Sequence, residues 1–336
     1  MLQDFGILIF SLAIILLGAE VFTNGIEWLG KKLRLAEGAV GSVLAAVGTA
    51  LPETMIPIIA IFFGTEEVGK EIGIGAILGA PFMLATLALF MTGAAGLFYR
   101  KRRLRFPRMN INPIILERDL SFFIILYTLA LLAAFLPFHT GKMAIAGILV
   151  LMYMVYVYIT INSGDPAGSF HKINPCLFDR RCPNDPSLKK VLLQVIISLG
   201  LIIIGAKFFV NEIEKLSILF GVSGFVLALI IAPVATELPE KFNSIIWISQ
   251  GKDTLAMGNI TGAMVFQSSL IPALGIVLTP WNLSIKAVIS VVLALVSASL
   301  LLYYLKRKGY ITVYILMFSG VFYLIFIYLV VNKIFF

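Results

Sequence analysis

The sequence repeats itself at a fixed distance of 187 residues, and the two copies align without an insertion or deletion. Gly18-Ala19-x-x-Phe22-x-Asn24 returns as Gly205-Ala206-x-x-Phe209-x-Asn211, and Thr49-Ala50-Leu51-Pro52-Glu53 returns as Thr236-Glu237-Leu238-Pro239-Glu240. The second motif places a proline and a glutamate inside a long apolar run, where a charge is costly. A costly residue that occurs twice predicts a functional site built from both copies.

The composition indicates whether these apolar runs lie in a soluble core or in a membrane. Hydrophobic residues make up 60% of the 336 residues and charged residues 13%, whereas soluble domains have roughly 45–50% and 25%. The chain is therefore predicted to be a polytopic membrane protein. A helix crosses the bilayer core in about 20 residues, and suitable stretches lie at 5–27, 38–63, 72–99, 115–137, 142–162, 190–214, 222–248, 254–279, 283–305 and 311–333. The first stretch has no basic segment before it and is expected to remain as a span, not to act as a signal peptide.

The basic residues predict the orientation of these ten spans. With the N-terminus outside, nineteen of the 26 lysines and arginines fall in cytoplasmic connections or at the span ends beside them and five on the outer side, with two deeper inside spans. This bias follows the positive-inside rule. We therefore expect a multi-pass protein of the cell membrane with both termini outside. The formal charge of +8 is explained by topology, and no nucleic-acid partner is expected.

A long connection divides the chain into two halves. Residues 163–189 contain several prolines and glycines and predict an irregular cytoplasmic linker. It separates a first five-helix repeat, 1–162, from a second, 190–336. Because five is odd, the second repeat enters the membrane inverted, which is the architecture of secondary transporters. Cys176, Cys182 and His171 lie in the linker, but their spacing matches no common zinc pattern, and free thiols are expected.

The repeated Pro-Glu motif offers the chemistry of a cation site. A proline leaves the carbonyl four residues before it without a helical donor, and carboxylate, hydroxyl and carbonyl oxygens suit calcium, magnesium or sodium. Two glutamates match one divalent or two monovalent cations. The predicted ligands are the glutamates Glu53 and Glu240, the threonines Thr49 and Thr236, and the carbonyls of Gly48 and Ala235.

These motifs resemble those of the cation/calcium exchanger superfamily, which includes sodium/calcium and proton/calcium exchangers. The second-span signature of that family is represented by Gly48-Thr49-Ala50-Leu51-Pro52-Glu53 and Ala235-Thr236-Glu237-Leu238-Pro239-Glu240. The third-span counterparts are Gly75-Ala76-Ile77-Leu78-Gly79-Ala80-Pro81 and Gly258-Asn259-Ile260-Thr261-Gly262-Ala263-Met264. The resemblance implies an all-α fold of ten transmembrane helices in two inverted five-helix repeats.

The resemblance also implies a mechanism. The protein would exchange a divalent cation, Ca2+ in the first place, for Na+ or H+ by alternating access. Glu53 and Glu240 would be the central ligands at the midplane, with Thr49 and Thr236 contributing oxygens. The first and sixth spans would slide across a rigid core. Inorganic cations and the lipid bilayer are the expected partners of a monomer, and no cofactor or enzymatic activity is expected.

Departures from the family pattern leave the ion open. Ala80, Pro81, Ala263 and Met264 cannot supply the side-chain oxygens of the third-span motifs. Glu237 adds a carboxylate on the face of Glu240, where Lys241 could neutralise it. Gln267 and Ser268 lie one turn after the third-span motif of the second half and could replace the oxygens that it lacks. A proton-coupled exchanger, a magnesium exchanger, a transport-inactive member and a cation channel remain alternatives. A membrane enzyme is not expected, because His139 and His171 lie in connections.

Overall fold

The computed structural model describes residues 2–32, 51–65, 67–103, 105–162, 174–179, 182 and 185–332. Apart from one isolated β-bridge between Arg108 and Thr312, the regular secondary structure in these ranges is helical. The helices are α1 (Leu2–Lys32), α2 (Leu51–Phe63), α3 (Val68–Met83), α4 (Leu89–Phe98), α5 (Pro113–Ala133), α6 (His139–Asn162), α7 (Leu188–Phe220), α8 (Gly224–Ser249), α9 (Asp253–Leu278), α10 (Ile285–Lys308) and α11 (Val313–Val331). A π-helical turn, Leu84–Ala88, joins α3 to α4.

The all-helical prediction is confirmed, and the number of spans is confirmed in part. In the described residues, seven helical stretches are long and apolar enough to cross a membrane. The prediction of ten spans is not confirmed for α2, α5 and α8. Helix α2 is described only from Leu51 onwards, α5 carries three consecutive charged residues at 117–119, and only the Gly224–Val234 part of α8 is uniformly apolar.

Local sequence signals fix several helix ends. The side chain of Asn112 accepts a hydrogen bond from Ile114 N at the start of α5, with Pro113 in the first helical position. Ser284 caps α10 in the same way by accepting from Ala287 N. Helix α7 ends at Gly221, whose φ of 60° is left-handed and therefore favours glycine.

Contacts divide the chain into two compact units that each draw on both halves of the sequence. The first unit comprises Met1–Gly73 and Ile159–Gly224, and the second comprises Ile74–Tyr158 and Phe225–Phe336. The predicted repeats 1–162 and 190–336 are defined by sequence similarity and not by contacts, so this division stays a prediction.

In the first unit, α1 and α7 pack against each other antiparallel, through the repeated glycines. A Cβ on Gly18 would lie 2.9 Å from Ile202 Cγ1 and 3.2 Å from Ser198 O. A Cβ on Gly205 would lie 2.8 Å from Ile15 Cγ1 and 3.1 Å from Ser11 O. Ser198 and Ile202 are the positions 187 residues after Ser11 and Ile15, so the two contacts are equivalent by the repeat.

The linker folds back onto this helix pair. Trp28 Nε1 donates to Asn174 O at 2.9 Å, and Phe178 N donates to the Oε1 of Gln194 on α7 at 3.1 Å. Cys176 between them is buried against Trp28 and Val191. The predicted irregular linker therefore includes a docked segment, residues 174–179.

In the second unit, α3 lies directly on the backbone of α8. A side chain on Gly75 would collide with Phe225 O, and one on Gly79 would collide with Leu229 O. The third-span glycines of the first half thus permit close helix packing. Helix α5 ties this unit together, because Tyr127 on it donates to Leu78 O at 3.1 Å and its Ala130 O accepts from Trp281 Nε1 at 2.9 Å.

Candidate cation site

Glu53 is a buried carboxylate in the first turn of α2. It is 6% exposed, and both carboxylate oxygens are shielded from solvent. Met55, two residues later, packs against the core of the α1–α7 pair, which holds this turn in place. Ionised carboxylates in apolar surroundings are costly unless hydrogen bonds or opposite charge compensate them. A bound cation is one source of that compensation.

Pro57 removes one helical hydrogen bond from the turn that carries this carboxylate. It lies inside α2, four residues after Glu53. Since proline has no N–H, the carbonyl of Glu53 accepts no helical hydrogen bond from position 57. Carboxylate and carbonyl oxygens are the ligands that hard cations prefer. The sequence predicts such a carbonyl at Gly48, but Gly48 and Thr49 lie outside the described residues.

Glu237 is the buried carboxylate of the second motif, with an exposure of 1%. Its Oε1 accepts a short hydrogen bond from Nε2 of Gln267 on α9. The other amide atom, Gln267 Oε1, is buried and accepts no hydrogen bond from the described residues. The structure thus places a carboxylate and an amide oxygen together in the second unit. Ser268 differs, because its hydroxyl donates to Val265 O at 3.2 Å within its own helix.

Thr236 is buried next to Glu237 in α8. Its hydroxyl donates to Ala232 O, one turn earlier, at 3.0 Å, which leaves the oxygen lone pairs to act as acceptors. Glu240 and Ala235 lie on the same helix, but their side chains fall outside the described residues, as does that of Lys241. The Pro-Glu turn itself is part of the helical run Gly224–Ser249.

Helix α5 carries a buried carboxylate that the sequence motifs do not single out. Asp119 is 1% exposed and accepts hydrogen bonds from Thr261 Oγ1 at 2.6 Å, Tyr156 OH at 3.1 Å and Arg118 Nε at 3.1 Å. Thr261 belongs to the third-span motif of the second half. An acid inside the predicted span 115–137 is the available signal. Its partners Tyr156 and Thr261 lie 37 and 142 residues away, so nothing local reveals the cluster.

The two units can be compared by what they offer a cation. The first unit holds Glu53, with carboxylate and carbonyl oxygens on one residue. The second holds Glu237 and Gln267, with Thr236 adjacent. Each set contains hard oxygen donors and, among its described members, no soft ligand. The pairing of Glu53 with Glu240 remains a prediction. Glu237 and Gln267 form a further pair of oxygen-bearing side chains in the second unit.

Two curated proteins from archaea are similar to the chain over most of their length. An uncharacterised membrane protein of Methanocaldococcus jannaschii is 24% identical over 263 residues, which cover 77% of this chain and 78% of that protein. The sodium/calcium exchanger MaX1 of Methanosarcina acetivorans is 24% identical over 330 residues, covering 91% and 92%.

A solved structure supports the fold. The crystal structure of the H+/Ca2+ exchanger CAX superposes with a TM-score of 0.68 at 14% identity, covering 98% of this chain and 82% of that one. The family profile described as "Sodium/calcium exchanger protein" matches residues 4–162 and 190–332. These two segments make up most of the 336 residues, and the chain therefore belongs to the sodium/calcium exchanger protein family.

Proposed function

We propose that the protein is a secondary active antiporter that exchanges a divalent cation, most simply Ca2+, for Na+ or H+ by alternating access. Glu53 and Glu240 are the central ligands, and Thr49, Thr236 and the carbonyls of Gly48 and Ala235 complete the oxygen shell. The protein acts as a monomer in the cell membrane. The observation that carries the proposal is the burial of Glu53 at 6% exposure within a repeated Pro-Glu motif.

Inverted repeats are part of the same proposal. The contacts of Gly18 with residues 198 and 202 and of Gly205 with residues 11 and 15 are equivalent under the 187-residue offset. Two antiparallel helices that exchange equivalent contacts are what a two-fold axis between inverted halves produces. The family profile is also matched in two segments, 4–162 and 190–332, that correspond to the proposed repeats. In the mechanism, α1 and α7 are the helices that slide.

The coupling ion is proposed to be Na+ or H+, and one feature favours H+. Glu237 contributes a third motif carboxylate, whereas Ala80 and Met264 supply no oxygen where the family pattern has polar side chains. A carboxylate in a low-dielectric cavity can exchange a proton for a cation. Gln267 Nε2 can donate to either protonation state of Glu237, so this contact is compatible with both coupling ions. Magnesium is the alternative divalent ion because it uses the same oxygens.

Flux through reconstituted vesicles tests the proposal. The full-length protein in liposomes should accumulate radioactive calcium when an outward Na+ gradient or an outward H+ gradient is imposed, and the effective gradient identifies the coupling ion. Glu53→Gln and Glu240→Gln should each reduce this uptake to the level of empty vesicles, because each removes a charged ligand. Repeating the assay with Mg2+ as competitor ranks the two divalent ions.

A matched variant controls for general loss of charge. Glu71→Gln removes an exposed carboxylate from the first turn of α3 and should retain wild-type uptake. Uptake by both motif variants at the wild-type rate would rule out the proposed ligands. Calcium flux that needs neither gradient would instead identify a channel, and absence of flux from a folded wild-type protein would identify a transport-inactive member.

A further inference from the structure

The second unit carries a dense basic surface at one end of its helices. Eight exposed side chains form it, five from the connection between α4 and α5 and three from the end of α10. We call it the basic surface: Arg100, Lys101, Arg102, Arg105, Arg108, Lys306, Arg307 and Lys308. Membrane topology alone explains a one-sided excess of positive charge. Whether the basic surface is also a binding site depends on how the fold holds its side chains.

Backbone hydrogen bonds join the two segments of the basic surface. Met109 N donates to Ile311 O at 2.9 Å, and Val313 N donates to Pro107 O at 3.0 Å. These bonds hold the connection before α5 against the turn between α10 and α11. Basic residues about 200 positions apart in the sequence are therefore brought together by the fold. Topology requires charge on this side but does not require this assembly.

Tyrosines orient three of the guanidinium groups. Arg102 lies over the ring of Tyr99 at 5.4 Å, and Arg108 lies over the ring of Tyr310 at 4.0 Å. Arg307 Nη1 donates to the hydroxyl of its neighbour Tyr303 at 3.1 Å. A guanidinium held by an aromatic ring loses less freedom on binding, and its planar fork matches the oxygens of a phosphate group.

Internal acids balance only a small part of this charge. Among the described residues, one member of the basic surface forms an ion pair, Lys306 with Glu117 at 3.2 Å. The first unit differs, because its Lys32 and Lys190 pair with Asp185 and Asp179 of the linker at 2.5 and 2.7 Å. Seven of the eight residues of the basic surface thus have no acidic partner among the described residues, although the half-buried Arg103 of the same connection pairs with Asp253 at 2.7 Å.

The position of the basic surface at the ends of apolar helices favours a membrane ligand. The apolar stretch Val68–Phe98 ends directly before Arg100, and Ile285–Lys308 ends within the basic surface. Phe98, Tyr303 and Tyr314 are exposed beside it at 80%, 60% and 54%. Aromatic residues that flank an apolar stretch are typical of the headgroup region of a bilayer.

We propose that the basic surface is a binding site for anionic phospholipids, with Arg102, Arg108 and Arg307 contacting headgroup phosphates. Charge attraction and phosphate recognition both favour such a ligand over a zwitterionic lipid. The site is separate from the candidate cation site and does not depend on which cations are exchanged.

Native mass spectrometry of the full-length protein in detergent tests this site, with phosphatidylglycerol and phosphatidylcholine as probes. The wild type should retain phosphatidylglycerol in preference to phosphatidylcholine. Replacing Arg102, Arg108 and Arg307 together by Gln should weaken phosphatidylglycerol binding on the order of a hundredfold, if each contributes about what a basic residue gains near an anionic surface. Replacing the same three by Lys should give an intermediate affinity, because charge stays and the oriented fork is lost.

The matched control removes three basic residues of the first unit: Lys31, Lys189 and Lys207, each to Gln. All three are exposed, and this variant should bind phosphatidylglycerol as the wild type does. An equal loss in the control, or no loss in the triple arginine variant, overturns the proposal. Wild-type affinity in the three-lysine variant overturns the role of the tyrosine-held arginines. Displacement of the lipid by equimolar glycerol 3-phosphate or inorganic phosphate would identify a soluble phosphate site instead and also overturn it.

Discussion

Asp119 shows how a single buried charge can organise a helix contact. It accepts hydrogen bonds from α6 and α9 and from its own neighbour Arg118, whose side chain is 13% exposed. Removing one partner of a buried ion pair costs about 3–5 kcal/mol, because the other charge is left uncompensated. The main effect of losing this contact is therefore the cost of the charged and polar partners that are left without Asp119.

We predict that Asp119→Ala lowers the thermal unfolding midpoint of the detergent-solubilised protein more than any change to a single one of its donors. Thr261→Val removes one hydrogen bond, worth about 1–3 kcal/mol when it leaves a buried group unpaired, and should give an intermediate midpoint. Differential scanning fluorimetry of the three proteins measures the order.

Glu117→Ala is the control for this prediction. Glu117 is adjacent in sequence but 47% exposed, and its ion pair with Lys306 belongs to the surface class worth about 0–1 kcal/mol. Its midpoint should match the wild type. If Asp119→Ala unfolds at the temperature of Glu117→Ala, then the buried cluster contributes no more than a surface pair.

Some buried polar residues can be predicted from the sequence and others cannot. Glu53 is predictable because a charge that is repeated within apolar runs is costly and therefore indicates a function, and Glu237 is predictable because it lies inside the second copy of the same motif. Asp119 is not, since it occurs once and stands beside Arg118, which fits a basic connection. Gln267 can be named as a source of oxygen, but its hydrogen bond to Glu237 requires two residues 30 positions apart, on consecutive helices, to meet. Partners far apart in sequence require the fold.

The glycines of the repeated motif lie where α1 and α7 pack closely. The repeated glycines at 18 and 205 do face the partner helix, because small residues permit close packing. The docking of residues 174–179 does not follow from the sequence. Proline and glycine indicate irregular backbone, yet they carry no information about the surface on which that backbone lies. Trp28 and Gln194, which receive it, look like ordinary polar or aromatic members of apolar helices.

Asp179 anchors this docked segment. It accepts hydrogen bonds from Lys190 Nζ at 2.7 Å, Ser187 N at 3.1 Å and Cys182 N at 3.2 Å. These contacts, the Lys190 hydrogen bond foremost, lower the pKa of Asp179 to about 2. We predict that Asp179→Asn loosens the segment and speeds alkylation of the buried Cys176 thiol on the order of tenfold at neutral pH, as expected when local opening becomes easier. Maleimide labelling in a Cys182→Ser background measures the rate.

Asp185→Asn provides a close comparison, because Asp185 is 88% exposed and pairs only with Lys32 among described residues; labelling of Cys176 should stay at the wild-type rate. The effect of Asp179 also has a defined pH window. Because the folded pKa is lowered, its contribution is complete above about pH 4 and is lost as the pH falls towards about 2. The difference in thermal unfolding midpoint between wild type and Asp179→Asn should shrink as the pH falls through that window. A difference that stays constant would contradict the role of the Asp179 carboxylate.

At the scale of the whole molecule, charge asymmetry predicts the orientation in the membrane. Nineteen basic residues lie in the predicted cytoplasmic connections or at the span ends beside them and five on the outer side, so the linker should face the cytoplasm and both termini the outside. The linker contains a native reporter for this prediction. Cys182 is exposed, whereas Cys176 is buried, and the chain has two cysteines in all.

We predict that a membrane-impermeant maleimide leaves Cys182 unlabelled in intact cells and labels it in inside-out vesicles. Cys176 should react slowly in both preparations because the docked segment covers it. Cys182→Ser should therefore remove most of the labelling from inside-out vesicles, which identifies the reacting thiol. Labelling of Cys182 in intact cells would place the linker outside. Because the spans are joined in series, that result would reverse every connection and bring the basic surface to the outer leaflet.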